Sequence, residues 1–140
     1  MEEPLTEELL NELLNSDSPE QFLEHHHTGT RELADYLQEL LATHGLERVG
    51  VVHAAQLNDT YGYELFTGKK KRPSRNIVLQ LAFAMGLSLR ETDRLLQAAG
   101  ASRLYCKNTR DAIIIFCLSR HATLNEVNEV LYARDEETLN

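Results

Sequence analysis

The chain has 140 residues, with 22 acids against 14 Lys and Arg and a formal net charge of −8. That length suits one compact domain with some elaboration, and the acidity argues against tight, indiscriminate binding of nucleic acid. No stretch approaches the ~18 consecutive apolar residues of a membrane span. The opening Met1-Glu2-Glu3-Pro4 lacks the basic start of a signal peptide, so a cytoplasmic location is expected, with Cys106 and Cys117 as free thiols.

Glycine and proline are scarce, at 7 and 3, while Leu, Ala and Glu recur. These are strong helix formers, and the composition predicts an all-α protein. The one β-branched cluster, Ile113 to Ile115, is short and has helix-like flanks. Charge is segregated. Residues 1–30 hold eight acids and no Lys or Arg, residues 31–104 are mildly basic, and residues 105–140 are mildly acidic.

In chain order, residues 5–14 predict an amphipathic helix with Leu5, Leu9, Leu10, Leu13 and Leu14 on one face. A second short helix begins at Pro19, capped by Ser18, and ends near His25-His26-His27. Neighbouring residues on a helix point in different directions, so this His triplet reads as a surface patch and not as a metal site. Thr30 caps a helix over 31–43 that turns Leu33, Leu37, Leu40 and Leu41 inward and stops at Gly45. A helix over about 47–55 is expected to bury Val49, Val52 and Ala55. After a turn at Gln56-Leu57-Asn58, a helix over 59–67 is closed by Gly68. Asn58 is its expected cap, with Tyr61 and Leu65 facing inward. Lys69-Lys70-Lys71-Arg72-Pro73 forms a basic loop before the next helix.

The second half repeats itself at a spacing of 35 residues. Ser74–Leu81 aligns with Thr109–Phe116, and Leu87–Leu96 with Ala122–Leu131, without a gap. Ser88 with Glu91, and Thr123 with Glu126, form capping boxes at equivalent places. Two copies are too few for a solenoid, so the expectation is two similar helical hairpins extending one core. Cys117, on the apolar helix, belongs to that core, and His53 and His121 read as ordinary helix residues. The expected divisions are acidic helices over 1–30, a central domain over 31–100, and a helical extension over 101–140 packed on the same core.

The stretch from Gly45 to Gly68 carries the most specific pattern. A small Ala55 sits where two short helices cross, Leu57 plugs the turn between them, and Leu65, Gly68 and Lys69 follow in order. With the Arg72-Pro73-Ser74 exit, the Ile77-Leu81-Ala82 helix and Ala84–Leu89, the chain over about residues 33–98 resembles the Cro/repressor-type (XRE-like) helix-turn-helix family. Arg110–Ile115 looks like an extension found in a subset of that family. The resemblance implies a lambda-repressor-like core and a bacterial, sequence-specific DNA-binding regulator of transcription. Gln56 replaces the usual turn glycine, at a cost of about 1 kcal/mol for a positive φ. Gly50 and Gly62 sit inside the two short helices.

In that family the second helix enters the major groove. Carried over, the readers are Asp59, Thr60, Tyr63 and Glu64. Arg48 contacts backbone or a flanking base, and Lys69, Lys70, Lys71, Arg72 and Arg75 neutralise phosphates. Asp59 and Glu64 are suited to accept from cytosine amino groups. A homodimer on a two-fold site follows from so small a reading unit. The competing reading is a protein-interaction adaptor that keeps the fold, its acidic N-terminal helices docking on a basic partner or masking the basic loop. Phosphate loops, nucleophile elbows, zinc spacings and kinase signatures are all missing from the sequence, so no enzyme, cofactor or metal is expected.

Overall fold

The computed structural model describes residues 32–140, which form seven helices and no strand. They are α1 (Leu33–His44), α2 (Arg48–Ala54), α3 (Asp59–Thr67), α4 (Arg75–Met85), α5 (Leu89–Ala98), α6 (Thr109–Ser119) and α7 (Leu124–Ala133). The helices expected over 5–14 and 19–27, and the Thr30 cap, lie outside the described residues. No helix among the described residues is long and apolar enough to cross a membrane.

One apolar cluster runs through all seven helices. Leu37 and Leu40 of α1, Leu65 and Phe66 of α3, and Leu79 and Leu81 of α4 meet Leu95 and Leu96 of α5, and Ile114 and Leu131 of the last hairpin join the same cluster. Each such side chain contributes roughly 1.5–3 kcal/mol when it leaves water. Helix α1 packs on α3, α4 and α5, and α2 packs on α3 and α4.

The helix ends follow local chemistry. Helix α1 begins at Glu32 without a side-chain cap, whereas Asn58, Ser74 and Asn108 each accept from a backbone amide of the helix they open. Both expected capping boxes form, Ser88–Glu91 and Thr123–Glu126. Helix α2 is only two turns long, and its inward stripe is Val51, Val52 and Ala55. Val49, expected inside, is 52% exposed.

The repeat extends beyond its helices. Gly86 and His121, and then Gly100 and Asp135, are matched residues at positive φ just past a helix end. His121 is therefore a helix-terminating residue and not a residue of the helix itself. Asp93 accepts from the amide of Leu104, and its counterpart Asn128 accepts from that of Leu139, at 2.9 and 2.8 Å. Both leucines are buried. The two hairpins meet reciprocally, α4 touching α7 and α5 touching α6.

Paired arginines lock that meeting. Arg75 donates from Nε to Ser102 O, from Nη2 to Arg103 O, and from Nη1 and Nη2 to both carboxylate oxygens of Asp111 at 2.8 Å. Arg110, its counterpart, donates to Glu137 O, Thr138 O and the side chain of Asn76, the residue matched to Asp111. Each arginine thus clasps the tail of its own copy and the polar side chain of the other.

Candidate nucleic-acid interface

Helices α2 and α3 are joined by a tight corner, Ala55-Gln56-Leu57-Asn58. Ala55 is fully buried, and its carbonyl, left open at the end of α2, accepts from the buried side chain of Gln80 at 2.9 Å. Gln56 takes a φ of +59°, the conformation its glycine-like position requires. Its side chain donates to Asn125 Oδ1 at 2.9 Å and accepts from Asn140 Nδ2 at 2.8 Å. Asn140 in turn accepts from Asn128 at 2.6 Å. The corner is therefore tied to α7 and to the tail that follows it.

Asn58 Oδ1 accepts from the amides of Thr60 and Tyr61 at 2.9 and 3.2 Å, which starts α3 cleanly. Gly62 lets α3 approach α2, since a Cβ there would stand 2.6 Å from both γ-methyls of Val52. Leu65 and Phe66 anchor the inner face. Tyr61 is half-buried against the core, and burial together with the charge of Glu64 pushes its phenol pKa up, keeping it a neutral hydroxyl.

The outer face of α3 carries Asp59, Thr60 and Tyr63, all exposed. Asp59 Oδ1 lies 2.9 Å from His53 Nε2, a contact between the end of α2 and the start of α3. Arg48, at the start of α2, places its guanidinium 4.7 Å from the centre of the Tyr63 ring, a cation–π contact that joins the two helices across their exposed side. Glu64 is turned partly inward, and Lys70 reaches it only at 3.9 Å.

Lys69, Lys70, Lys71 and Arg72 are all exposed on the loop after α3. Among the described residues no carboxylate lies within ion-pair distance of Lys69, Lys71 or Arg72. Arg72 leans across the end of α5, close enough that a Cβ on Gly100 would meet its Nη1 at 2.8 Å. The structure thus joins Arg48 to Tyr63 across α2 and α3 and keeps Asp59, Thr60 and Glu64 on α3, with Lys69, Lys70 and Lys71 exposed on the loop that follows and Arg72 turned toward the end of α5.

Arg75 is the exception. Four of its five guanidinium N–H groups are engaged with Asp111 and the backbone of 102–103, so where a phosphate clamp was expected the structure shows a bridge between hairpins. Burial pushes the Asp111 carboxyl pKa up. The hydrogen bonds from Arg75 and the Tyr105 amide, with the charges of Arg75 and Arg110, outweigh that and hold it below its ordinary value.

The sequence marks Gln56 only as a non-glycine turn residue and gives Gln80 no role, yet the side chains of both build the corner. The signal for Gln80 was a single polar residue inside the apolar run Ile77–Ala82. Among the described residues no cluster of three or more His, Cys, Asp or Glu side chains is placed to hold a metal ion. No protein-family model, curated protein or solved structure matches the chain.

Proposed function

We propose that α2, the corner and α3 form a helix-turn-helix that binds duplex DNA, α3 entering the major groove and the Lys69–Arg72 loop following the phosphate backbone. One observation carries this reading. The inner face of α3 is consumed by the core, while its outer face is open and continues directly into four exposed cations, three of them without a carboxylate partner among the described residues. A groove-docking helix needs that arrangement, because phosphate contacts supply most of the affinity and base contacts the choice of sequence.

Of the two carboxylates on the face, Glu64 is largely covered and has Lys70 at 3.9 Å, while Asp59 stands exposed beside His53. Thr60 and Tyr63 offer hydroxyls to bases or phosphates, and Asp59 an acceptor for cytosine amino groups. So small a reading surface calls for two copies on a two-fold site, which makes the regulatory reading that of a homodimer on DNA. Exposure of Val49 and Tyr63 beside Arg48, at 52% and 51%, gives the adaptor reading its own support, because a protein partner could seat on the same patch.

Fluorescence anisotropy with a random pool of labelled duplex DNA separates the two. Wild type is expected to bind at low salt and weaken steeply at physiological salt. Changing Lys69, Lys70, Lys71 and Arg72 together to Ala should cut low-salt affinity at least roughly tenfold. The salt slope should flatten by about 0.9 for each phosphate that the variant no longer neutralises. Absence of binding even at low salt, or equal binding by the variant, would overturn the DNA reading and leave a protein partner to be sought.

A further inference from the structure

The two hairpins of the repeat are alike in sequence and in their mutual contacts, yet they differ in what is covered. In the first copy Val78, Leu81, Met85, Leu95 and Ala99 are all buried. The matched residues of the second copy are Ile113, Phe116, Arg120, Val130 and Arg134. Phe116 is 56% exposed and Val130 40%, Arg120 and Arg134 are exposed, and Ile113 is half-buried. Contacts between the hairpins are reciprocal, α4 meeting α7 and α5 meeting α6. Among the described residues only the first copy carries further helices, since α1 and α2 pack on α4 and α1 packs on α5. Among the described residues, then, no helix covers the α6–α7 face that matches the helix-covered face of the first hairpin.

Its chemistry differs from that of the first copy at two places. Arginines stand where Met85 and Ala99 stand in the first copy. Arg120 rests its guanidinium 4.6 Å over the Phe116 ring. Neither Arg120 nor Arg134 has a carboxylate within ion-pair distance among the described residues. A guanidinium stacked on a ring keeps its edge free to hold a carboxylate with two hydrogen bonds.

We propose that the α6–α7 face of Phe116, Val130 and Ile113, edged by Arg120 and Arg134, is a docking site for an acidic amphipathic helix of a partner protein. The apolar stripe of that helix takes the place that α1 holds on the first hairpin, and its flanking carboxylates pair with the two arginines. Helix-in-groove recognition of this kind reads apolar anchors at i, i+3 or i+4 and i+7. A second copy of the chain is the poorer occupant, because a two-fold contact through Phe116 brings like-charged arginines together. The site is separate from the α2–α3 surface and stands whether or not that surface binds DNA.

The test uses the full chain and two labelled helical peptides of about five turns, identical in their leucine stripe but carrying glutamate or lysine elsewhere. The glutamate peptide is expected to bind at least roughly tenfold more tightly than the lysine peptide. Phe116→Ser should weaken it, and Arg120→Glu with Arg134→Glu should reverse the preference, with the circular dichroism spectrum unchanged. Because all three side chains are exposed, these changes leave the core intact. Equal binding of the two peptides, no binding of either, or a preference that survives the charge reversal overturns the proposal. A dimer in sedimentation equilibrium that Phe116→Ser dissociates would also overturn it, assigning the face to a second copy.

Discussion

At the scale of single residues, two glycines in neighbouring helices have opposite meanings. Gly50 in α2 faces open space, with nothing within 4 Å of where a Cβ would stand. Gly50→Ala should therefore stabilise the protein by about 0.5–1 kcal/mol, the ordinary gain for filling a helix with Ala. Gly62 in α3 has no such room, since the Val52 methyls occupy it and are themselves held in the core. Gly62→Ala should destabilise by about 1–3 kcal/mol because the two helices must be forced apart. Urea unfolding of the pair checks both signs at once, and a stabilised Gly62→Ala would mean that the α2–α3 approach is looser than the structure has it. The composition alone treats the two glycines alike, as costs to short helices. Only the crossing geometry separates them.

At the scale of elements, the hairpins α4–α5 and α6–α7 are joined by charge as well as by apolar contact. Asp111 is buried, and its partner guanidinium is 25% exposed. Removing one member of such a pair leaves the other stranded, so Asp111→Asn should cost about 2–3 kcal/mol at neutral pH. The pH dependence follows from the lowered carboxyl pKa. The stabilisation is fully present above the unfolded carboxylate value of about 4 and is lost as pH falls through the lower folded value. The gap between wild type and Asp111→Asn in urea midpoint should therefore be large at pH 7 and shrink once the pH drops below about 4. A gap that stays constant would show that the ion pair is not its source.

Much of this arrangement was legible in the sequence, and some was not. The bounds 59–67 for α3, the Gly68 stop and both capping boxes follow from punctuation and hydrogen-bonding side chains, which act locally. The reach of Arg75 to a carboxylate 36 residues away is not local, and beside four other cations it looked like one more phosphate contact. The repeat held the clue, because Arg75 and Arg110 occupy matched positions next to Asn76 and Asp111. An arginine that recurs in the second hairpin, far from the corner, points to a shared structural duty. The Val49 expectation failed for a different reason. In a helix of two turns the apolar stripe is too short to fix its own phase, and tertiary packing chose Val51.

At the scale of the whole molecule, a single apolar cluster crosses from α1 to α7. The last hairpin is consequently part of the same cooperative unit as the α2–α3 corner. Leu131 in α7 is fully buried in that cluster. Leu131→Ala should lower the stability of the described unit by about 2–5 kcal/mol, and amides of α3 and α7 should lose hydrogen-exchange protection together. If only the amides of α7 were affected, the hairpin would be an independently melting appendage.

The side chain of Gln56 has a consequence at this scale too. The corner that sets the angle of α3 is braced by Asn125 and Asn140, so its geometry belongs jointly to α2, α3 and α7. On the two proposals above, a ligand on the α6–α7 face that shifts α7 is expected to reach the α2–α3 surface through this brace, and a ligand on that surface to act back by the same factor. Gln56 is the one side chain through which both surfaces would then be read, since it alone bonds to both α7 and the tail from the corner.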